Sequence, residues 1–132
     1  PHIIHTLTAE GFIPIIAPVG IGKNGETYNI NADVVASKIA SALGAERLIL
    51  VTDVDGVLDG DHQLISSITD REINEQIADG RIKGGMIPKV ECALEALRNG
   101  VKKSHIINGK IPHAVLLELF TDSGIGTQVF VD

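Results

Sequence analysis

Two side chains of opposite charge fall in the first turns of two predicted helices, Asp33 in one and Lys89 in the other. The N-terminus of a helix carries a partial positive charge, which stabilises a carboxylate and disfavours a cation. Lys89 therefore indicates that an anion lies nearby. The alternative interpretation of Lys89 is an ordinary solvated lysine.

Two asparagines precede Asp33 in the sequence NINAD. Alternation along an extended strand places Asn29 and Asn31 on the same side of the chain. Asn31 suits the N-cap of the following helix, so capping and ligand binding are both open for it. Asn29 lies at a strand end and points towards whatever lies over the rim of the sheet, which makes it a candidate substrate contact.

The turn TDVDGV, Thr52 to Val57, follows a predicted buried strand, at the end where ligands lie in open α/β sheets. Its acidic residues lack the spacing of an EF-hand, and we predict no metal site there. A glycine-assisted turn that accepts hydrogen bonds from a ligand is one interpretation. An ordinary surface turn is the other.

A second glycine-rich segment, GRIKGGMIPKV, runs from Gly80 to Val90 and leads into a strongly amphipathic helix. With Lys89, Arg81 and Lys83 form a local positive cluster in a chain whose formal net charge is −6. Backbone amides of its glycines, at the N-terminus of the helix, are suited to phosphate oxygens. This segment is therefore a candidate anion site.

The segment GIGKNG, Gly20 to Gly25, has the glycine spacing of a dinucleotide-binding loop. Such a loop requires a helix that begins inside the glycine pattern. Asn24-Gly25 instead favours a two-residue turn between short strands, and the next helix start is predicted near Asn31. We therefore predict a β-hairpin here.

The elements that must position these residues follow from apolar periodicity and end signals. Helices are predicted over Pro1 to Glu10, Asn31 to Leu43, Thr69 to Asp79, Met86 to Arg98 and His113 to Phe120. Strands are predicted in FIPIIAPV, RLILV, SHIING and TQVFV, with a small extension in LISSIT. This alternation predicts an α/β fold, a three-layer αβα sandwich with a mostly parallel sheet, plus the hairpin.

Composition limits the class of protein. With 132 residues, of which 44% are hydrophobic, the chain can bury one core, so a single domain is predicted. The negative net charge argues against nucleic acid or an anionic membrane as a partner. The single cysteine, Cys92, excludes a disulfide within the chain and a thiolate metal cluster. The lone cysteine indicates a reducing compartment, no apolar run reaches the length of a membrane span, and we expect a cytoplasmic location.

Taken together, the motifs NINAD, TDVDGV and GGMIPK, in this order, resemble the C-terminal, nucleotide-binding half of the amino acid kinase family. The resemblance implies that Asn29, with Asn31 beside it, binds an acylated amino acid. It implies that Asp33 organises the active-site lysines and that Lys89 stabilises the transferring phosphoryl group. The residues implied to contact the nucleotide are Thr52, Asp53, Val54, Asp55, Gly56, Val57, Arg81, Ile82 and Lys83.

The activity implied by this resemblance is ATP-dependent phosphorylation of the side-chain carboxylate of N-acetyl-L-glutamate, with Mg²⁺ carried by ATP. The acceptor is already ionised near neutral pH, so no general base is required. Lysines and glycine amides that neutralise the phosphoryl oxygens are the groups such a reaction needs. Two alternatives stay open: a non-catalytic module that binds nucleotide or arginine, and a kinase of this fold acting on another carboxylate, carbamate or nucleotide.

The C-terminal segment carries a second resemblance, to family members that arginine inhibits. By pattern alone His105 and His113 are core or capping histidines, because neither has metal-ligand spacing. Arginine-inhibited members carry a histidine, a glutamate and a glycine at positions that correspond to His105, Glu118 and Gly124. The resemblance therefore implies an arginine effector site, in which a carboxylate pairs with the guanidinium.

The family's N-terminal half, with a glycine-rich substrate loop, a second catalytic lysine and much of a dimer interface, has no counterpart in residues 1–132. The resemblance implies that the full-length protein is a homo-oligomer. We expect the chain to bind nucleotide and to be inefficient as an enzyme by itself.

Overall fold

Six strands and five helices alternate along most of the chain, and the computed structural model describes all residues from 1 to 132. The helices are α1 (His2–Ala9), α2 (Ala32–Leu43), α3 (Asp70–Ala78), α4 (Met86–Arg98) and α5 (Ala114–Phe120). The strands are β1 (Val19–Ile21), β2 (Thr27–Asn29), β3 (Arg47–Thr52), β4 (Ser67–Thr69), β5 (Lys103–Asn108) and β6 (Thr127–Phe130).

The central sheet has four strands in the order β3-β5-β6-β4. β3 and β5 are parallel, with Arg47 opposite Lys103 and Thr52 opposite Asn108. β4 and β6 are also parallel, whereas β5 and β6 are antiparallel. The prediction of a mostly parallel sheet is confirmed, with one reversed pairing that the alternation of elements did not reveal.

Helices cover both faces of this sheet. α2 and α4 pack against each other and against β3, and α4 also packs on β5 and β6. Successive residues of a strand face opposite layers. Accordingly, Ile106 of β5 is fully buried in the main core, whereas its neighbour His105 hydrogen-bonds to Glu118 of α5. The three-layer αβα arrangement is thus confirmed.

The ends of two helices are fixed by specific capping residues, and the predicted cap at Asn31 is confirmed. Asn31 caps α2, because its side-chain oxygen accepts hydrogen bonds from the backbone N–H groups of Asp33 and Val34. Gly44 ends the same helix in the left-handed conformation that glycine adopts readily. Thr69 and Glu72 form a capping box at the start of α3. The Asn31 cap places Asp33 in the first turn of α2.

The glycine-rich segment after Val19 is a hairpin, as predicted. β1 and β2 are antiparallel, with Val19 opposite Asn29. Residues 22–26 connect the two strands, with Gly25 at φ +88°, so the predicted two-residue turn at Asn24-Gly25 is wrong. The next helix begins at Ala32, not within the glycine pattern. The geometry of a dinucleotide-binding loop is therefore absent from this segment.

The prediction of a buried strand over FIPIIAPV is wrong. The structure has no strand between Phe12 and Pro18, and the side chains of Ile13 and Ile15 are 89% and 95% exposed. A strand needs a neighbour for its backbone hydrogen bonds, and none of the six strands pairs with this segment. Pro14 and Pro18 remove two backbone donors as well. An apolar, β-branched composition was therefore not sufficient to predict a strand here.

None of the five helices has both the length and the apolar character needed to cross a membrane.

Ser104 provides a test of the core between the sheet and α4. Its side chain is fully buried, and its hydroxyl has no hydrogen-bond partner. Because Ser104→Ala removes an unpaired polar group, we expect the free energy of unfolding to stay unchanged or rise by up to about 1 kcal/mol in urea unfolding. Ser37 is the matched control, since it is equally buried but its hydroxyl donates to the carbonyl of Cys92 at 3.0 Å. Ser37→Ala should cost about 1 kcal/mol, and an equal loss for both variants would contradict the prediction.

Candidate functional site

The helix starts of α2 and α4 meet at an ion pair between Asp33 and Lys89. The Nζ atom of Lys89 donates to both carboxylate oxygens of Asp33, at 3.0 and 2.9 Å. Each side chain is only 19% exposed. The anion that the position of Lys89 indicated is therefore this carboxylate, which holds the ammonium group at the N-terminus of α4 through two hydrogen bonds.

A cavity of about 450 Å³ lies between the turn that follows β3 and the glycine-rich segment before α4. Six predicted nucleotide contacts line it, and they are Val54, Gly56, Val57, Arg81, Ile82 and Lys83. The lining also includes Gly80 and Met86, which belong to the candidate anion segment. Leu58, Asp59, Gly60 and His62 line it as well and were not predicted as contacts. Asp59 and Gly60 continue the turn directly, so proximity in sequence was an available signal. His62 had no comparable signal.

The remaining predicted nucleotide contacts, Thr52, Asp53 and Asp55, do not line this cavity. The carboxylate of Asp55 accepts a hydrogen bond of 2.7 Å from the side-chain amide of Asn108 at the end of β5. Asp53 is exposed and lies 3.9 Å from the ammonium group of Lys110. Of these three residues, Asp55 connects the turn to the sheet.

The positive charge around the cavity is smaller than the sequence indicated. The Nε and Nη2 atoms of Arg81 donate to Asp79 at 2.8 and 2.5 Å. The hydrogen bond with Asp79 raises the pKa of Arg81, and the same contact lowers the pKa of Asp79. Lys83 takes part in none of the salt bridges of the chain. Lys83 is therefore the cation at this cavity whose charge is available to an anionic ligand.

The two asparagines of NINAD have different environments. The side-chain oxygen of Asn31 caps α2, because it accepts hydrogen bonds from the backbone N–H groups of Asp33 at 2.9 Å and Val34 at 3.3 Å. Asn29, the last residue of β2, is exposed. A ligand contact by the Asn31 oxygen would compete with the cap, whereas the whole amide of Asn29 can interact with a ligand.

A second, polar cavity of about 600 Å³ brings together the three residues of the implied effector site, His105, Glu118 and Gly124. Nδ1 of His105 lies 2.6 Å from one oxygen of the Glu118 carboxylate. The other oxygen accepts from the backbone N–H groups of Ile125 and Gly126, at 2.7 and 3.1 Å. The Nε2 atom of His105 is buried and has no hydrogen-bond partner.

The carboxylate of Glu118 is stabilised in its ionised form. Burial alone would raise its pKa, but the hydrogen bond from Ile125 N, the contact with His105 and the hydrogen bond from Gly126 N outweigh burial. The pKa of Glu118 is therefore lowered. Gly124 approaches this carboxylate closely, because a Cβ at that position would lie 2.8 Å from a Glu118 oxygen. The three residues thus form one packed unit around a buried negative charge.

No group of three or more His, Cys, Asp or Glu side chains in the chain is arranged to hold a metal ion.

A family model and a curated relative both match this chain. The model of the amino acid kinase family matches residues 1–108. An acetylglutamate kinase of Syntrophobacter fumaroxidans is 58% identical over 127 residues, which are 96% of this chain and 43% of the relative. The chain thus spans less than half the length of this curated relative.

Solved structures share the fold. N-acetylglutamate synthase from Neisseria gonorrhoeae, complexed with coenzyme A and L-arginine, superposes with a TM-score of 0.89 and 28% identity over 97% of this chain and 30% of its own. Carbamate kinase from Giardia lamblia bound to AMP-PNP superposes with a TM-score of 0.73. It is 24% identical and covers 99% of this chain and 44% of its own, so this second similarity concerns the fold alone.

Proposed function

The chain belongs to the amino acid kinase family, and we propose that it is the C-terminal, nucleotide-binding half of a kinase that uses ATP to phosphorylate the side-chain carboxylate of N-acetyl-L-glutamate. The observation that carries the catalytic part of the proposal is the Asp33–Lys89 ion pair at the start of α4. Lys83 and Met86, which precede Lys89 in the same segment, line the cavity proposed for the nucleotide. The choice of acceptor is supported by the 58% identity to an acetylglutamate kinase.

The chemistry of this reaction fits the side chains at the site. The acceptor carboxylate is ionised near neutral pH, so the enzyme has to align two anions and neutralise the phosphoryl oxygens. Lys89 supplies a partly buried positive charge for that purpose, in surroundings where its interaction with an anion is stronger than in water. Asp33 keeps the ammonium group in place, since both of its oxygens accept from Nζ.

Nucleotide binding is assigned to the cavity beside the turn that contains Gly56. Lys83 provides a cation without a carboxylate partner, and the segment before α4 provides backbone N–H groups at a helix N-terminus. Mg²⁺ would enter with ATP, and the phosphate oxygens would be its main ligands. Asn29, with its exposed amide, is the proposed contact of the acylated amino acid.

Arginine is the proposed ligand of the second cavity. Its guanidinium would pair with the buried carboxylate of Glu118. Another polar group of arginine would form a hydrogen bond with Nε2 of His105, which has no partner in the protein. The Neisseria synthase, which shares this fold, was solved with L-arginine bound. That the full-length protein is a cytoplasmic homo-oligomer stays a prediction.

Calorimetric titration tests the nucleotide site. We expect the chain, once circular dichroism shows that it is folded, to bind Mg-ATP, and Lys83→Ala to weaken that binding about tenfold because a phosphate contact is lost. Lys102→Ala is the matched control, since Lys102 is an exposed lysine that pairs with Glu46 and does not line the cavity. Absence of nucleotide binding by a folded sample would overturn the proposal. Equal effects of the two substitutions would remove Lys83 from the site.

A further inference from the structure

The glycine-containing turn beside the nucleotide cavity is attached to the sheet by two side chains that do not line the cavity themselves. Thr127, the first residue of β6, contacts the turn at Val57. Asn108, the last residue of β5, contacts it at Asp55. Neither Thr127 nor Asn108 was selected from the sequence.

The hydroxyl of Thr127 is inserted between two segments of backbone. It accepts a hydrogen bond from the N–H of Val57 at 2.9 Å and donates one to the carbonyl of Ile65 at 2.7 Å. The N–H of Ile65 in turn donates to the carbonyl of Val57 at 2.9 Å. In a regular antiparallel pair both N–H groups would bond directly to the opposite carbonyl. Here the fully buried Thr127 hydroxyl replaces one of these two bonds and holds the segments apart.

This insertion explains why the adjacent residue is glycine. Gly56 has φ +150°, and a Cβ at this position would lie 2.6 Å from Oγ1 of Thr127 and 2.7 Å from Cδ1 of Leu64. A side chain would therefore collide with the hydroxyl that anchors the turn. Gly56 and Val57, whose backbone is anchored by Thr127 at the N–H of Val57, also line the cavity. Thr127 thus determines how far this backbone projects into the space proposed for the nucleotide.

Asn108 fixes the other end of the same turn. Its side-chain amide donates to Asp55 at 2.7 Å, and its side-chain oxygen accepts from the backbone N–H of Lys110 at 2.9 Å. Asn108 itself is buried, whereas Asp55 and Lys110 are exposed, so both hydrogen bonds are partly buried. The two anchors lie on neighbouring strands of the sheet, β5 and β6, and they hold Asp55 and Val57 on either side of Gly56.

We propose that Thr127 and Asn108 are positioning residues of the nucleotide site. They hold the Asp55–Val57 turn in the position in which it contacts ATP. The inference rests on the proposed function, because it assumes that this cavity is the nucleotide site. Two side chains of the sheet thus set the geometry of the turn. The turn itself supplies the contacts with the ligand.

The principal test compares Thr127→Val with Thr127→Ser in a polypeptide of the relatives' full length that carries this chain. Valine keeps the shape of the side chain but leaves Val57 N and Ile65 O without partners, whereas serine keeps the hydroxyl. We expect Thr127→Val to raise the Kd for Mg-ATP and the KM for ATP about tenfold, with the KM for N-acetylglutamate changed by less than about twofold. Thr127→Ser should restore the affinity for ATP to within about threefold of the parent protein.

Two further variants separate positioning from general stability. Asn108→Asp keeps the acceptor for Lys110 N but places a carboxylate against Asp55, and it should weaken Mg-ATP binding as Thr127→Val does. Ser37→Ala removes another buried hydroxyl with a backbone partner, at a place that does not line the cavity. It should lower the temperature of unfolding but leave the Kd for Mg-ATP unchanged. If Thr127→Val binds Mg-ATP like the parent, or if Ser37→Ala weakens binding equally, the inference is wrong.

The parent protein distinguishes the two ways in which the test can fail. A folded parent that does not bind Mg-ATP overturns the proposed function, and the positioning role falls with it. A parent that binds Mg-ATP while Thr127→Val and Asn108→Asp bind equally well overturns the positioning role alone. If Thr127→Val is unfolded, Asn108→Asp and Thr127→Ser decide the question. Asn108→Asp at parental affinity then contradicts the inference.

Discussion

Replacing Lys89 by alanine in the full-length polypeptide is expected to lower kcat about a thousandfold while changing the Kd for Mg-ATP by less than about threefold. The reason is that Lys89 is held at the start of α4 by Asp33 and, in the proposed reaction, neutralises charge that develops on the transferring phosphoryl group. A contact that strengthens only in the transition state affects kcat, not substrate binding. Steady-state kinetics together with calorimetric titration of Mg-ATP measure the two quantities separately.

A second ion pair between the same two helices provides the control. Lys38 of α2 pairs with Glu95 of α4, and both side chains are more exposed than Asp33 and Lys89. Lys38→Ala therefore removes a connection between α2 and α4 without touching their N-termini. We expect it to leave kcat within about twofold of the parent. A similar loss of kcat in both variants would mean that Lys89 only joins the helices, and an unchanged kcat in Lys89→Ala would refute its catalytic role.

The sequence was sufficient to predict features that depend on neighbouring residues. The presence of a hairpin, the Asn31 cap and the bounds of α4 all follow from interactions within a few positions, and the structure confirms them. The length of the hairpin turn does not follow in this way, because residues 22–26 connect the strands where two residues were predicted. The position of Lys89 in a first helical turn indicated an anionic partner for the same reason. That this partner is Asp33, fifty-six positions away, followed only from the resemblance to a family.

Features that depend on distant neighbours were missed or predicted wrongly. FIPIIAPV has the composition of a buried strand, but no strand of the sheet pairs with it. The antiparallel pairing of β5 and β6 depends on the path of the chain after α5. Thr127 lies in a segment with an ordinary strand pattern, and only the fold places its hydroxyl between Val57 and Ile65. Arg81 was predicted to be part of a local positive cluster, because its hydrogen bond to Asp79 does not follow from the charges in the sequence.

Glu118→Ala is expected to lower the free energy of unfolding by about 3 kcal/mol, because three donors lose a buried, charged acceptor. These donors are His105 Nδ1 and the backbone N–H groups of Ile125 and Gly126. Urea unfolding at neutral pH measures the loss. Glu75→Ala is the control, since Glu75 is an exposed glutamate near Arg71 and should contribute less than about 0.5 kcal/mol. Equal losses for the two variants would show that the Glu118 contacts do not stabilise the fold.

The pH dependence of stability provides an independent measurement of the same carboxylate. The pKa of Glu118 in the folded protein lies below its ordinary value of 4.5. A lowered pKa contributes stability that is fully present above the pKa of the unfolded state and is lost as the pH falls through the folded pKa. We therefore expect the parent protein to lose more stability than Glu118→Gln as the pH falls from neutral to below the folded pKa. Parallel curves for the two proteins would contradict this prediction.

The structural role of Glu118 changes how the proposed arginine site has to be tested. Because Glu118 holds the segment around Ile125 and Gly126, Glu118→Ala can abolish arginine binding simply by loosening the cavity. Glu118→Gln retains the shape of the side chain and an oxygen for the backbone donors, but it lacks the charge that would attract a guanidinium. A ligand at a hundredfold excess over its Kd stabilises the folded state by about 2.7 kcal/mol. Arginine should therefore raise the unfolding temperature of the parent but not of Glu118→Gln, and equal increases in both proteins would exclude a guanidinium at Glu118.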